Sequence, residues 1–210
     1  NSKKQGVIDF NALALGNSVG TGPQGILAEI IELKGLSEIN EHRDEIAGKI
    51  VFFNGPMDPT LIDTFSAYGA AVSQRSSGAA QTGPYGAKAI IVRSITQSLD
   101  DVPHAGSLRY KAGVKALPAM AISTKDANLL SQLLKDQADL LIYMENYAVI
   151  LPETQSYNVI GQLNGNLLPN EYIVIGGHLD SWDVGEGAHD DGSGCLQGIE
   201  VLRIFKSLNI

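Results

Sequence analysis

The sequence predicts an α/β protein in two parts, and three observations carry that prediction. Short, continuous apolar runs at 49–53 and 89–93 are bounded by Gly48, Asn54-Gly55-Pro56 and Gly86, as buried strands are. Between them lies a stretch rich in small helix formers, with Ala67, Ala70 and Ala71, so the economical unit is β-α-β. From about residue 151 the character changes, and a glycine-rich string of His and Asp follows an apolar run.

In chain order, the alternation of Ile8, Phe10, Ala12 and Ala14 suits a half-buried strand over 8–15, and 16–25 reads as a glycine-rich turn. A second strand is expected at 26–33, and 38–46 is polar and either helical or irregular. The third strand is 49–53, a helix falls within 61–83, and the fourth strand is 89–93. Residues 94–113, with Pro103 and two glycines, form a long loop before a strand at 119–123. Ser123 or Thr124 caps a helix over 126–134 that lines up Leu129, Leu130, Leu133 and Leu134, and 139–148 closes this part as a strand. In the last part 157–163 is a strand, 164–170 a turn and 172–175 a continuous apolar strand. In open α/β sheets ligands gather beyond the carboxyl ends of strands, and this strand runs into Gly176-Gly-His-Leu-Asp180.

Composition excludes several classes of function. A formal charge of -8 with no basic run longer than Lys3-Lys4 offers nothing to a phosphate backbone, so nucleic acid is not an expected partner. No apolar run approaches the roughly 20 residues that cross a bilayer, so no membrane span is expected. The single cysteine, Cys195, excludes an internal disulfide and leaves the redox compartment open. The start at Asn1-Ser-Lys-Lys and the stop at Leu208-Asn209-Ile210 read as cuts in a longer chain.

Chemistry concentrates at 176–194. His178 and Asp180 lie two apart, so in an extended segment they share a face and suit a metal ligand with its orienting carboxylate, although spacing leaves open which takes the metal. Asp190 and Asp191 follow, then Gly192-Ser-Gly194 and an apolar stretch, 195–202, that reads as a helix. Adjacent carboxylates suit a hard cation, and one carboxylate can give an oxygen to each of two zinc ions about 3.5–4 Å apart.

Other readings compete. The His and acids could populate a solvated loop, but their place after a strand argues against it. The acids between Asp180 and Glu200 do not fit the twelve-residue calcium loop. Gly192-Ser-Gly-Cys-Leu-Gln-Gly198 has one residue too many for a dinucleotide glycine pattern and lacks a strand immediately before it. Ser193 lacks a nucleophile-elbow context, and Cys195 sits in an apolar helix with no base derived nearby. His42, His104 and His189 read as non-catalytic, and Trp182 as packing before pocket lining.

The string Gly177-His-Leu-Asp-Ser-Trp-Asp-Val-Gly-Glu-Gly-Ala-His-Asp-Asp-Gly-Ser-Gly194 resembles the first metal-binding stretch of the M28 zinc peptidases, most closely their carboxypeptidase Q branch. Upstream, Ala14-Leu-Gly-Asn-Ser-Val-Gly-Thr-Gly-Pro-Gln-Gly-Ile26, Gly48-Lys-Ile-Val51, Tyr85-Gly-Ala-Lys-Ala-Ile-Ile-Val-Arg-Ser94 and Pro118-Ala-Met-Ala-Ile-Ser123 resemble that family's protease-associated insert.

The resemblance implies a protease-associated α/β domain over 1–150 and part of a zinc-exopeptidase α/β sheet domain over 151–210 that continues beyond both ends. It implies that His178 ligates one zinc, Asp190 bridges two, Asp180 orients His178, and the Asp190–Asp191 bond is cis. It further implies a catalytic Glu, an adjacent Glu ligand, another acidic ligand and a final His beyond Ile210, so that the fragment alone is inactive. The activity expected of the intact protein is co-catalytic dizinc hydrolysis of dipeptides or short peptides from one end. The rival expectation is a non-catalytic protein-binding module built on the protease-associated domain. Expected partners are a peptide substrate and a second copy of the chain as a homodimer; the expected location, by resemblance, is secreted or periplasmic.

Overall fold

The computed structural model describes residues 6–137 and 139–209; Asn1, Ser2, Lys3, Lys4 and Ile210, named above, lie outside them. The chain divides into two compact units, Asn1–Leu151 and Pro152–Ile210.

The first unit is built on one six-stranded sheet. Its strands are β1 (Ala12–Ala14), β2 (Ile26–Leu33), β3 (Ile50–Phe53), β4 (Ala89–Arg93), β5 (Ala119–Ile122) and β6 (Leu141–Met144), in the spatial order β1-β5-β4-β3-β2-β6. The central four strands run parallel, while β1 pairs antiparallel with β5 and β6 with β2. Parallel strands covered on both faces bury successive side chains, which is why Ile50, Val51, Phe52 and Phe53 form an uninterrupted apolar run with all four buried.

The alternation of the pleat sends those residues into two cores. Val51 and Phe53 join Leu33, Ile90, Val92 and Ala79 on one face. Ile50 and Phe52 join Ile30, Ile91, Ala127 and Leu130 on the other. Helix α1 (Thr64–Thr82) serves the first core, and Asp63 caps it by accepting the Phe65 N–H at 3.0 Å. The helix approaches the sheet closely at Gly78, where a Cβ would come within 2.6 Å of the Phe53 ring. Helix α2 (Thr124–Asp136) covers the second core; of the two caps expected, Ser123 takes the role, its Oγ accepting the Asp126 N–H at 3.0 Å.

The loop between β4 and β5 is held by polar contacts. Ser94 Oγ donates to the Ile122 carbonyl at 2.7 Å and accepts the His104 N–H at 2.7 Å. Glu32, near the end of β2, accepts from Asn54 at 2.6 Å and from Ser131 at 2.9 and 3.0 Å, and pairs with Lys34. Two expected strands are shorter than the alternation suggested. Ile8 and Phe10 pack against the second core without joining the ladder, and the strand within 139–148 is Leu141–Met144, after which the Asn146 carbonyl accepts the Thr21 N–H at 3.0 Å.

Among its described residues the second unit contains one regular helix, α3 (Ser193–Leu208), preceded by a turn over Ala188–Gly192. The strands expected at 157–163 and 172–175 do not form. A strand exists only through a neighbour that takes its N–H and C=O groups. No other described segment of this unit is a strand, and Ile173 and Val174 stay exposed. Among the described residues no helix is long and apolar enough to cross a membrane.

Candidate metal centre

The site lies in the second unit, where 176–180 and the turn before α3 come together. His178 is the meeting point. Its Nδ1 lies 2.8 Å from the Asp180 backbone carbonyl and 3.2 Å from the Asp180 carboxylate, and its Nε2 lies 2.9 Å from Asp190 Oδ1. A carbonyl oxygen only accepts, so Nδ1 carries a proton and donates it. That fixes Nε2 as the variable nitrogen. In the neutral ring Nε2 presents a lone pair to a carboxylate oxygen, and two acceptors this close need a proton or a cation between them. The Asp180 carbonyl, followed by the Asp190 carboxylate, accordingly raises the His178 pKa above its ordinary value. The imidazole is about half exposed, and Asp180 and Asp190 are mostly exposed, so the pair is open to solvent ions.

The sequence places Asp190 here through local backbone features. Gly187 adopts a left-handed φ of 67° and lets the chain turn ahead of 188–192, with the Gly192 N–H donating back to the Gly187 carbonyl at 2.8 Å. Ser193 Oγ donates to the His189 carbonyl at 2.8 Å, tying the turn to the start of α3. The Asp190–Asp191 bond is cis.

Asp191 takes a different position from Asp190. Its Oδ2 accepts the His178 backbone N–H at 3.2 Å, a contact that neither spacing nor residue type announced. Cys195, which the sequence placed in an apolar helix with no base nearby, donates through Sγ to the His178 carbonyl at 3.4 Å. His42 pairs with Glu45 at 2.9 Å, and the His104 N–H is held by Ser94; both belong to the first unit. Trp182 is half exposed, and its carbonyl closes a turn with the Gly185 N–H at 2.8 Å.

An imidazole nitrogen and a carboxylate oxygen are both good zinc donors. Tetrahedral zinc with bonds of about 2.0–2.1 Å holds two donors about 3.3 Å apart, so the pair fits an ion after opening by a few tenths of an ångström. Among the described residues no group of three or more His, Cys, Asp or Glu is gathered to hold a metal.

Comparison with known proteins defines the class of this chain. It belongs to peptidase family M28, whose family model matches residues 158–209, the stretch that contains the site. Among individual proteins, it is 34% identical over 198 residues to carboxypeptidase Q of Mus musculus and 36% identical over 198 residues to that of Xenopus laevis. Each match covers 94% of this chain and 40% of the relative, so the chain spans about 40% of the length of the curated relatives it matches. The crystal structure of a peptidase M28 precursor from Shewanella amazonensis is similar to it with a TM-score of 0.82 and 39% identity, covering 88% of this chain and 41% of that one.

Proposed function

We propose that this chain supplies His178 and Asp190 as two ligands of a zinc centre in a longer exopeptidase that hydrolyses dipeptides or short peptides. The observation that carries the reading is the 2.9 Å approach of His178 Nε2 to Asp190 Oδ1, with Nδ1 already engaged by Asp180. Membership of a peptidase family and likeness to carboxypeptidase Q along nearly the whole chain support the reaction class.

Asp180 holds the Nδ1 proton, which keeps the Nε2 lone pair turned toward Asp190 and makes the ring a better donor. Asp190 brings negative charge beside that lone pair and has a second oxygen to offer a second ion, the basis for proposing two zincs. Zinc held there supplies Lewis-acid polarisation of the scissile carbonyl. Two donors are too few for a stable centre, so the chain alone is proposed to be inactive, with the remaining ligands and the general base coming from other parts of the full-length protein.

In the same proposal residues 1–150 form a protease-associated domain with no chemistry of its own. Support comes from the likeness of 14–26, 48–51, 85–94 and 118–123 to such inserts, and from a first unit with its own double-sided core. A secreted or periplasmic location rests on the family likeness alone.

The test is hydrolysis of a dipeptide panel by the full-length protein before and after chelation. Turnover that stops on chelation and returns with zinc supports the reading. A folded full-length protein that cleaves nothing with zinc present refutes it in favour of a non-catalytic binding module.

A further inference from the structure

The adjacent carboxylates of Asp190 and Asp191 have separate surroundings. Asp190 faces the imidazole, whereas Asp191 is wedged between the chain at 177–178 and the first turn of α3. A Cβ added at Gly177 would come within 2.6 Å of Asp191 Oδ2 and 2.8 Å of the Cys195 nitrogen. One added at Gly194 would strike Asp191 Oδ1. Both glycines therefore stand where the carboxylate needs space.

Two further contacts give this wedge a direction. The Asp191 carboxylate accepts the His178 N–H, while Cys195 Sγ donates to the His178 carbonyl, so both backbone polar groups of one residue are held, one from the turn before α3 and one from the helix's first turn. That helix has no side-chain cap at Gly192, and a carboxylate beside its exposed N–H groups is favoured by the helix dipole.

We propose that Asp191 is a positioning residue: its carboxylate fixes the His178 backbone against α3, so that the imidazole meets Asp190. The proposal deepens the metal-site reading above and rests on it for the consequence for metal binding. Losing such a support changes the aim of a ligand without removing a donor, an effect that typically costs about 10–100-fold in metal affinity.

The experiment uses the full-length protein labelled with 15N-histidine, its His178 amide identified by loss of the resonance in His178→Ala. In the metal-free state, Asp191→Ala should move that amide resonance, and zinc affinity should fall about 10–100-fold. Asp191→Asn keeps an acceptor oxygen and should leave the resonance near its wild-type position, with affinity within a few-fold. Gly194→Ala retains the carboxylate but displaces it, and should copy Asp191→Ala. An unmoved His178 amide in both Asp191→Ala and Gly194→Ala would overturn the proposal, as would Asp191→Asn losing zinc as severely as Asp191→Ala, which would make the charge itself a ligand. A wild-type protein that binds no zinc would sink the metal reading, while the amide resonances would still decide whether Asp191 holds His178.

Discussion

His178 Nε2 and Asp190 Oδ1 stand 2.9 Å apart although twelve positions separate the two residues in the chain. The intervening residues turn back through the left-handed Gly187, and the Asp180 carbonyl takes the other ring nitrogen. The imidazole is thereby oriented by the protein alone, which in the proposed zinc centre would lower the cost of ordering a ligand.

Asp180 offers two contacts to Nδ1, and they respond differently to substitution. Asp180→Ala removes the carboxylate at 3.2 Å but keeps the carbonyl at 2.8 Å. Zinc affinity of the full-length protein should fall toward the lower end of the usual range, by about 10-fold. Competition with a chromophoric chelator reads this directly; a loss as large as that of His178→Ala would mean that Asp180 is itself a ligand.

Glu32 should make the first unit acid-sensitive. Burial pushes its pKa up, but hydrogen bonds from Asn54, Lys34 and Ser131 outweigh that and leave it below the ordinary 4.5. A depressed folded-state pKa contributes stability that is complete above the unfolded value and lost as pH falls through the folded value. Chemical denaturation across pH 6 to 3 should show this unit weakening below about 4.5, and Glu32→Gln should flatten that dependence while lowering stability at neutral pH. An unchanged pH profile in the variant would remove Glu32 from the account.

Two glycines of α1 should respond in opposite directions to alanine. At Gly69 an added Cβ meets nothing within 4 Å, so Gly69→Ala should stabilise by about 0.5–1 kcal/mol through helix propensity. At Gly78 the Cβ meets the Phe53 ring, so Gly78→Ala should destabilise by about 1–3 kcal/mol despite the same propensity gain. Thermal unfolding of the two variants separates these outcomes, and a stabilised Gly78→Ala would show that Phe53 yields without cost.

The first unit was largely legible because its central strands β3 and β4 are buried on both faces: the runs at 49–53 and 89–93 betray themselves without any partner being known. The same signal misled at 172–175, where an apolar run has no described strand beside it and no ladder forms. Hydrophobicity records what a segment would bury, whereas a strand depends on a second segment. At the site, the spacing of His178 and Asp180 suggested their contact, and the family resemblance singled out Asp190. The hold of Asp191 on the His178 amide was not legible, because a side-chain contact to a backbone N–H leaves no pattern of residue types.

The central claim is tested most directly by bound zinc per chain, measured by elemental analysis of the full-length protein beside His178→Ala and Asp190→Ala. The account predicts two zincs in the wild type and a loss of metal in both variants. Equal metal content in all three folded proteins, or none in the wild type supplied with zinc, would contradict it.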